Sequence, residues 1–494
     1  MSEPIVISGW GQVTQPKSAA PPFLDPVDLM ERAARDAGAL AGAGVLQTVD
    51  TFLVVRTQSR TLTNPGQELA RRLGARPRRV HVSGIGGEVP QVFVNRGAGM
   101  LARGEAETVL ICGAETYYPR SADAVRGEQA LIQGVPADYA ADDAVGSSPL
   151  EQRHGLVLPI HGFPLFETAL WAQSGLSRAQ WLARVGGMWA RFSEVASQHP
   201  NAWTRKAFTA EEITAPSADN RPIAFPYTKR MVSLVMADLG AAVILTTERA
   251  ARARGSGANP VYFLGGGFAK DRQRYMVDKS DYTRSPALAR AAAKAEARAG
   301  VPVAEVECFD LYSCFPSAVS VARRELGLSD GDPRPLTLTG GLCFFGGPGS
   351  NYALHGIATM AETIAAGRRR SGMTTALGWF MHKYALGIYG ATPNRFDASV
   401  ADLEDEAHPE AGAPPVVVAQ RFAGRARIET YTVTYGRDQA PTRALVYGRT
   451  DAGLRFVANT SDDASTYAEL TGENQVGRVV RLRTADGLSY ADLE

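Results

Sequence analysis

Short apolar runs alternate along the first part of the chain with segments whose apolar positions recur every three or four residues. This pattern predicts strands alternating with helices. Residues 4–9 and 50–55 predict strands, and residues 26–41 and 65–73 predict helices. Asp25 directly precedes the first of these helices and is predicted to be its N-cap. The alternation is typical of an α/β fold.

A glycine-rich turn follows the next apolar strand. The turn contains Gly86 and Gly87, and Glu88 comes directly after them. The helix that follows is predicted to end near Gly104, before a further strand over residues 108–112. Glycine has no Cβ, so such a turn lets a ligand approach the backbone closely.

A second stretch, residues 336–360, repeats this order. We interpret its apolar, partly β-branched beginning as a strand, residues 346–349 as a glycine turn, and the segment that opens at Ser350 as a helix. The N-terminus of a helix offers unpaired N–H groups to an anion, and Asn351 and His355 are predicted to share one helical face. A structural turn beside a buried histidine is the alternative. The candidate ligand-binding residues at the two turns are Gly86, Gly87, Gly346, Gly347, Pro348 and Asn351.

The repeated pattern predicts two related halves that face each other across a shared site. Before the second half, residues 222–247 predict a helix and a strand. Within it we predict strands near residues 260–264, 305–312 and 374–380, and helices over residues 287–299 and 316–326.

The stretch from Thr116 to about residue 226 is rich in Pro, Trp and His and breaks the pattern. It is too long for a plain connection, so we interpret it as a loop domain that covers the site. Residues 391–415 predict a linker, and the alternating residues beyond it predict a separate small antiparallel barrel. The barrel strands are predicted at residues 416–420, 428–435, 443–450, 454–459 and 478–483. The predicted domains are residues 1–115 and 226–250 (first half), 116–225 (loop domain), 251–390 (second half), 391–415 (linker) and 416–494 (barrel).

Composition limits the compartment and the partners. The 494-residue chain carries 52 basic and 51 acidic side chains, a formal net charge of +1, which gives no reason to expect nucleic acid or an anionic membrane as partner. The four cysteines lie in apolar surroundings without metal-ligand spacing, so we expect reduced core cysteines and no metal. No apolar run approaches the roughly 20 residues of a membrane span, and no leader pattern precedes Ile5. We expect a soluble, cytoplasmic protein.

Five stretches, taken together and in order, resemble the thiolase superfamily, in particular its acetyl-CoA acetyltransferase and sterol-carrier-type thiolase-like branch. They are GEAETVLICGAE (residues 104–115), AFPYTKRMVSLVMAD (224–238), VECFDLYSCFP (306–316), GGLCFFGGPGSNYALHG (340–356) and GWFMHKYALGIYG (378–390). The resemblance covers about residues 1–390 and implies a five-layer αβαβα duplication with a loop domain. It also implies coenzyme A or an acyl-CoA as ligand, with no further cofactor required. The C-terminal β domain falls outside it.

Thiolase chemistry needs a cysteine nucleophile at the first turn, a histidine at the second turn, and a further cysteine that shuttles a proton. The nucleophile position matches Gly87 in one alignment and His81 in the other, and the histidine position matches Gly347. Residues 378–383 replace the loop of the second cysteine, and Cys112 lies on the wrong strand to substitute for the nucleophile. We therefore expect no cysteine-dependent thiolysis or Claisen condensation.

Two functions remain open. The first is an acyl-CoA acyltransferase that uses other acid or base groups, for which the candidates are His355, His382, Asp310 and Glu88. A histidine near the second turn could titrate near neutral pH, and the N–H groups of the turn could stabilise an oxyanion. Both histidines could equally be structural. The second function is a non-catalytic acyl-CoA binder or scaffold, with a barrel that contacts a partner protein.

In either case we expect coenzyme A to lie between the loop domain and the second half, where Lys206, Lys229 and Arg230 would hold its pyrophosphate. Arginines scattered along the barrel strands are more typical of a solvated face than of nucleic-acid binding. The strand before the first turn follows Arg76 and Arg78. Like charges on two paired copies of that strand would oppose the tight dimer of the family, so we expect a monomer or a weak dimer.

Overall fold

The computed structural model describes residues 3–119, 146–256, 259–394 and 412–494. The first half begins with alternating strands and helices, as the pattern predicts. Its elements before the loop domain are β1 (Ile5–Thr14), α1 (Pro26–Ala41), α2 (Val45–Thr48), β2 (Thr51–Val54), α3 (Pro65–Leu73), β3 (Arg79–Val82), α4 (Val89–Ala102) and β4 (Thr108–Thr116).

Helix α1 illustrates how local sequence signals set an element. The Asp25 side chain accepts from the Asp28 N–H at 2.8 Å, and the Asp28 side chain accepts from the Asp25 N–H at 2.8 Å. This reciprocal cap satisfies two backbone donors at the helix start, and Pro26 supplies a preset φ. The predicted N-cap and the predicted helix are both confirmed.

The loop domain and the second half follow in the chain. The loop-domain elements are α5 (Pro149–His154), α6 (Pro159–Ser174), α7 (Arg178–Gln198), α8 (Ala210–Thr214), β5 (Pro222–Ala224) and β6 (Tyr227–Thr228). The first half then resumes with β7 (Asp238–Thr247) and α9 (Glu248–Ala253). The second half contains β8 (Val261–Lys270), α10 (Pro286–Ala299), β9 (Phe309–Asp310), α11 (Pro316–Glu325), α12 (Tyr352–Ala365), β10 (Ser371–Gly378) and β11 (Lys383–Gly390).

Strand pairing demonstrates the duplication. The strands of the first half follow the order β3-β2-β4-β7-β1, and those of the second half follow β9-β10-β11-β8. In both halves parallel pairing on one side changes to antiparallel pairing on the other. The halves join where β1 pairs with β8. Helices α4 and α12, which are almost fully buried, pack on each other and on strands of both halves. The predicted five-layer αβαβα duplication is confirmed.

The second half departs from the predicted strands in several places. The strand predicted over residues 305–312 is reduced to β9, Phe309–Asp310. Residues 336–345 form no strand, although Leu336 still accepts a backbone hydrogen bond from Leu311 at 2.9 Å. Beyond that bond the Asp310 carboxylate accepts from the N–H groups of Leu338 and Thr339, at 2.8 and 3.2 Å, and so turns the chain away from the sheet. Strand β11 was not predicted because all its residues are buried and show no alternation.

In the loop domain, the helix predicted within residues 222–247 is also absent. That segment contains the β5–β6 hairpin and a single 3₁₀ turn, Lys229–Met231, before β7. No helix in the described ranges is long and apolar enough to cross a membrane.

A closed five-stranded barrel ends the chain. Its strands pair in the order β13-β14-β16-β15-β12, and β12 pairs with β13 to close the ring. Residues 416–420, a predicted strand, contribute only one bridge, from Val418 to Arg455. The helix and the last strand were not predicted. The barrel elements are β12 (Gly424–Tyr435), β13 (Pro441–Thr450), β14 (Arg455–Asn459), α13 (Ala464–Leu470), β15 (Val479–Ala485) and β16 (Leu488–Leu493).

The barrel is joined to the loop domain, whereas the pattern suggested a separate unit. Strand β5 pairs with β12 at Ala224 and Thr434, so the hairpin continues the barrel sheet. The Thr168 hydroxyl of α6 lies 2.8 Å from the Thr430 hydroxyl of β12 and donates to the Tyr431 carbonyl at 2.9 Å. The two parts therefore share one core.

A buried arginine ties the barrel to the second half. Arg455 is fully buried, donates to the Lys279 carbonyl at 2.7 Å, and lies 2.9 Å from the Glu429 carboxylate. It also donates to the Tyr282 hydroxyl and has its guanidinium carbon 4.8 Å from the Tyr282 ring centre. Burial lowers the pKa of Arg455 to about 10, so the group stays charged at neutral pH and needs these partners.

We expect Arg455→Met to lower the free energy of unfolding by about 3 kcal/mol, because the substitution leaves the Lys279 carbonyl and the Tyr282 hydroxyl without their donor, and Glu429 with Arg449 as its remaining ion-pair partner. Urea unfolding followed by circular dichroism measures the change. Arg481→Met is the matched control, since Arg481 is 69% exposed in its ion pair with Glu494. A loss of equal size in both variants would contradict the special role of Arg455.

Candidate functional site

The two glycine turns meet at the junction of the halves. The Ser350 hydroxyl accepts from the Gly86 N–H at 3.0 Å and from the Gln58 side-chain amide at 2.9 Å. Ser350 belongs to the turn that opens α12, so a side chain of the second half contacts the first turn directly. The predicted approach of the two turns is confirmed.

Gly87 lies in a packed position. A Cβ there would overlap the Tyr312 hydroxyl and the Leu377 carbonyl. Tyr312 is buried, and this burial holds its pKa well above the usual range, so its hydroxyl is neutral. Any side chain at Gly87, a thiol included, would require Tyr312 to move.

A buried ion pair occupies the space beside Gly87. The Lys383 ammonium of β11 lies 3.5 Å from the Glu88 carboxylate, and the two side chains are 5% and 6% exposed. The carboxylate lies between Gly86 and Gly378, where a Cβ at either position would overlap it. Within the described residues, the Glu88 Oε2 atom has no hydrogen-bond partner. The residues present at this junction thus supply an acid–base pair with one free oxygen.

All four cysteines are buried and free. Burial raises the pKa of Cys112 and Cys343 to about 12, and it holds the pKa of Cys314 well above the usual range of a thiol. Burial also raises the pKa of Cys308 to about 12. Because the thiolate is the reactive form, none of these thiols is prepared for nucleophilic attack at neutral pH.

The second turn does not offer the free N–H groups that we predicted for an anion. The Gly347 N–H donates to the Leu234 carbonyl at 2.9 Å, and the Gly349 N–H donates to the Gly347 carbonyl at 2.8 Å. Gly346 has φ +116°, a conformation that requires glycine. The Asn351 N–H is also occupied, by the Pro348 carbonyl at 2.8 Å. These donors are satisfied within the protein and form no open oxyanion site.

Asn351 and His355 both contact the sheet of the first half, each on a different strand. The Asn351 amide donates to the Gly113 carbonyl of β4 at 2.7 Å. The His355 Nδ1 atom lies 2.9 Å from the Gln12 side-chain oxygen of β1, and the ring packs on Phe345. Burial lowers the pKa of His355 to about 3, so this histidine does not titrate near neutral pH.

Asp310 and His382 are also committed to the interior. Asp310 accepts from Thr337 at 3.0 Å in addition to the two N–H groups described above, and so organises the segment before the second turn. His382 is buried and, in the described residues, neither ring nitrogen has a hydrogen-bond partner. Burial and the neighbouring Lys383 hold the pKa of His382 well below its usual range. Of the four acid–base candidates, only Glu88 lies at the meeting point of the turns.

Two of the three predicted cations converge on one aromatic ring of the loop domain. The Lys206 ammonium lies 4.9 Å from the Phe208 ring centre, and the guanidinium carbon of Arg230 lies 4.6 Å from it. Phe208 stacks on Phe344 of the second half at 5.9 Å. Lys229 is exposed. We call Lys206, Phe208 and Arg230 the cation–aromatic cluster.

A second buried carboxylate lies where the loop domain meets α11. The Tyr227 hydroxyl donates to Glu167 at 2.6 Å and lies 2.8 Å from the Ser317 hydroxyl. Burial raises the pKa of Glu167 to about 7. Glu115 behaves alike: it accepts from the Gln58 and Ser59 N–H groups, and burial raises its pKa to about 7.

Sequence reasoning missed three residues of the junction: Ser350 as a bridge, Tyr312 and Lys383. The only signal for Lys383 is a lysine at the start of a continuous apolar run, where an unpaired charge would be costly. Across the described residues, no group of three or more His, Cys, Asp or Glu side chains could hold a metal ion.

Comparison with solved structures places this geometry in a family. The chain aligns over 100% of its length with 100% of a monomeric SCP2-thiolase-like protein type 1 from Mycobacterium smegmatis, with 30% identity and a TM-score of 0.83. The chain belongs to the SCP2-thiolase-like protein type 1 family. Residues 408–487 match the family model described as the thiolase-like protein type 1 additional C-terminal domain. The barrel is therefore a feature that this type-1 protein shares with its relatives.

More distant structures share the fold over part of this chain. A structure named Ltp2-ChsH2(DUF35) aldolase matches 79% of this type-1 protein and 98% of its own chain, with 18% identity and a TM-score of 0.62. Human mitochondrial 3-ketoacyl-CoA thiolase in complex with CoA matches 79% of this chain and 98% of its own, with 18% identity and a TM-score of 0.55. The comparison with curated proteins finds no match.

We expect Lys383→Met to lower the free energy of unfolding by about 3 kcal/mol, because it leaves the Glu88 carboxylate buried without a counter-charge. The double variant Glu88→Gln/Lys383→Met should recover most of that loss, since it removes both charges. Chemical unfolding of the two single variants, Lys383→Met and Glu88→Gln, and of the double variant gives the coupling free energy. Lys229→Met, at an exposed lysine, is the control. Additive losses in the double variant would show that the two groups do not stabilise each other.

The raised pKa of Glu167 predicts that the stability of the protein depends on pH. Its pKa is raised from 4.5 to about 7, so the folded protein holds a proton between those values that the unfolded chain has lost. Stability should therefore fall as pH rises from 4.5 to 7, by about 3 kcal/mol from this group. Glu167→Gln should make the unfolding free energy less dependent on pH over that range.

Urea unfolding between pH 5 and pH 8 measures this slope. Glu115 keeps its raised pKa in the variant and accounts for a remaining slope. Glu211→Gln, at an exposed position of α8, should leave the native slope unchanged. An identical slope in native protein and Glu167→Gln would mean that Glu167 is ionised in the folded state.

Proposed function

We propose that the protein binds coenzyme A or an acyl-CoA in a thiolase-type pocket between the loop domain and the second half, without cysteine-dependent thiolysis or Claisen condensation. One observation carries the proposal. The Tyr312 hydroxyl and the Leu377 carbonyl fill the space that a side chain at Gly87 would need, while the cation–aromatic cluster keeps two charges beside the second half.

The cluster has the chemistry that a nucleotide diphosphate needs. An arginine and a lysine supply positive charge for phosphate oxygens, and Phe208 supplies a flat apolar face for a base. Arg230 is held by a 2.6 Å hydrogen bond to the Glu212 carbonyl, so less conformational freedom is lost when an anion binds. The thiolase neighbour with bound CoA supports this ligand class.

The proposed absence of cysteine-dependent thiolysis follows from the burial of the thiols. A covalent acyl-enzyme needs a reactive thiolate, and burial keeps the pKa of Cys112 and Cys343 near 12. Gly347 offers no imidazole where the resemblance expects a histidine. The site is degenerate as a thiolase site, and its ligand is bound or presented rather than cleaved by a cysteine.

A second candidate function is an acyltransfer or carbon–carbon bond reaction that uses non-cysteine groups. The favouring observation is the Glu88 Oε2 atom, which in the described part of the chain has no partner and lies beside Lys383. A carboxylate and an ammonium at one point could act as base and acid. An aldolase among the structural neighbours is consistent with such chemistry on this fold.

We further propose a cytoplasmic monomer or weak dimer. Strand β3 ends the order of the sheet, and Arg79 is exposed on it. The Mycobacterium smegmatis relative is described as monomeric. A protein partner at the barrel remains a prediction.

We expect coenzyme A to bind the native protein and the double variant Lys206→Gln/Arg230→Gln to bind it at least about tenfold more weakly, because two charge-assisted contacts are lost. Isothermal titration calorimetry measures both affinities. Arg252→Gln is the control, since this exposed arginine pairs only with Glu248 on α9 among the ion pairs of the described residues. Equal affinity in native protein and double variant would locate the ligand elsewhere.

An acetoacetyl-CoA thiolysis assay on the same preparations separates binding from chemistry. We expect no turnover in the native protein. Turnover near an ordinary enzyme rate of about 10 s⁻¹ would contradict the non-thiolase proposal, even if coenzyme A binds as expected. Turnover that is lost in Glu88→Gln, with coenzyme A affinity kept, would favour the second candidate function.

A further inference from the structure

A pocket lies outside the junction and outside the cation–aromatic cluster. It opens between α7 of the loop domain and α11 of the second half and has a volume of about 220 Å³. This is far above the roughly 30 Å³ that one water occupies and below the ~300–1,000 Å³ of pockets for drug-sized ligands. Its size suits a small head group with a short apolar body. It is lined by Trp181, Arg184, Val185, Met188, Ser320, Arg323, Arg324, Leu328 and Asp330.

Three guanidinium groups and one carboxylate line this pocket. Arg184 lies 2.9 Å from Asp330, and Arg323 lies 3.1 Å from it. Arg324 donates to the Gln173 side chain and to the Thr283 hydroxyl, both neutral partners. Asp330 therefore compensates only part of the positive charge. An anion that entered would meet an excess of positive charge on walls that are partly apolar.

Arg323 supplies an unused donor at the pocket wall. The residue is 8% exposed, and burial lowers its pKa from the ordinary arginine value. Its terminal nitrogens are occupied by Asp330 and by the Ser329 carbonyl, whereas its Nε atom has no hydrogen-bond partner among the described residues. A buried charged donor without a partner is costly and is expected to take one when an acceptor is supplied.

Asp330 occupies the space between the two arginines in a way that an incoming anion could displace. Its side chain is 63% exposed, although it bridges Arg184 and Arg323. An exposed carboxylate contributes little to stability through such pairs and can rotate into solvent. A phosphate, which has more oxygens, can replace it between the two arginines. A carboxylate with an apolar body against Val185 and Met188 can replace it as well.

We propose that this pocket binds a small organic anion, with a phosphate or carboxylate head group held by Arg184 and Arg323 and a short apolar body against α7. The site is independent of coenzyme A binding. Trp181 forms part of its wall, and the guanidinium carbon of Arg184 lies 5.3 Å from the Trp181 ring centre, a cation–aromatic contact that helps to hold Arg184 at the pocket.

Calorimetric titration of the full chain with inorganic phosphate, propyl phosphate and butyrate tests the proposal. We expect at least one of them to bind with a millimolar or lower Kd, and we expect this Kd to increase as the salt concentration rises. Tighter binding of propyl phosphate than of butyrate identifies a phosphate head group, and the reverse identifies a carboxylate. No heat of binding from any of the three overturns the proposal.

Two substitutions should change this affinity in opposite directions. Arg184→Gln should weaken binding of the best probe about tenfold, and Asp330→Asn should tighten it about threefold because the competing carboxylate is gone. Lys206→Gln/Arg230→Gln should leave it unchanged, which separates this site from the cluster proposed for coenzyme A. Arg249→Gln, 83% exposed on α9, is a second control.

The opposite signs keep the test decisive. Loss of folding in Arg184→Gln, checked by circular dichroism, would leave Asp330→Asn as the arm that decides, since its side chain is mostly exposed. Unchanged or weaker binding in a folded Asp330→Asn protein overturns the assignment of the head group to Arg184 and Arg323. Equal loss in Lys206→Gln/Arg230→Gln would also overturn it.

Discussion

A charged carboxylate in a protein interior needs a counter-charge, and the junction of the two halves holds such a pair. Glu88 comes from the turn before α4, and Lys383 comes from the start of β11, so the pair spans the halves. The contact is possible because Gly86 and Gly378 carry no Cβ beside the carboxylate. The glycines of the first turn thus make room for a buried ion pair and for the Tyr312 hydroxyl.

The loop domain is held against this junction from two sides. The barrel contacts it through the β5–β12 strand pairing and through the hydrogen bond that the Thr168 hydroxyl donates to Tyr431. On the other side Glu167 and Tyr227 connect it to Ser317 at the start of α11. A domain fixed at both ends keeps Phe208 stacked on Phe344, and with it the two cations at a constant distance from the second half. The barrel therefore contributes to holding the cation–aromatic cluster in place.

Most of the fold is visible in the sequence because its elements carry strong local signals. The Asp25 cap and the helix that ends at Ala41 are predictable from capping and periodicity, and the repeated glycine turns predict the duplication. The site is less predictable, because its determinants are contacts between segments distant in the chain. The His355 ring is held by the side chain of Gln12, which lies more than three hundred residues earlier in the chain. The strand expected at residues 336–345 is interrupted because the Asp310 carboxylate accepts backbone hydrogen bonds there. Periodicity carries no information on either contact.

The proposed function assigns binding and bond-making to different parts of this fold, so that one could be kept without the other. Transition-state stabilisation in a thiolase depends on thiols at the junction, where a displacement of about 1 Å already matters. Under the proposed function, ligand affinity would depend instead on charges and an aromatic face on the loop domain, which share no residue with the ion pair at the junction. An ion pair at the junction satisfies the packing requirement of the halves without preserving the reaction. Structural stability and ligand recognition can then both be retained in a chain whose thiols are all buried and protonated.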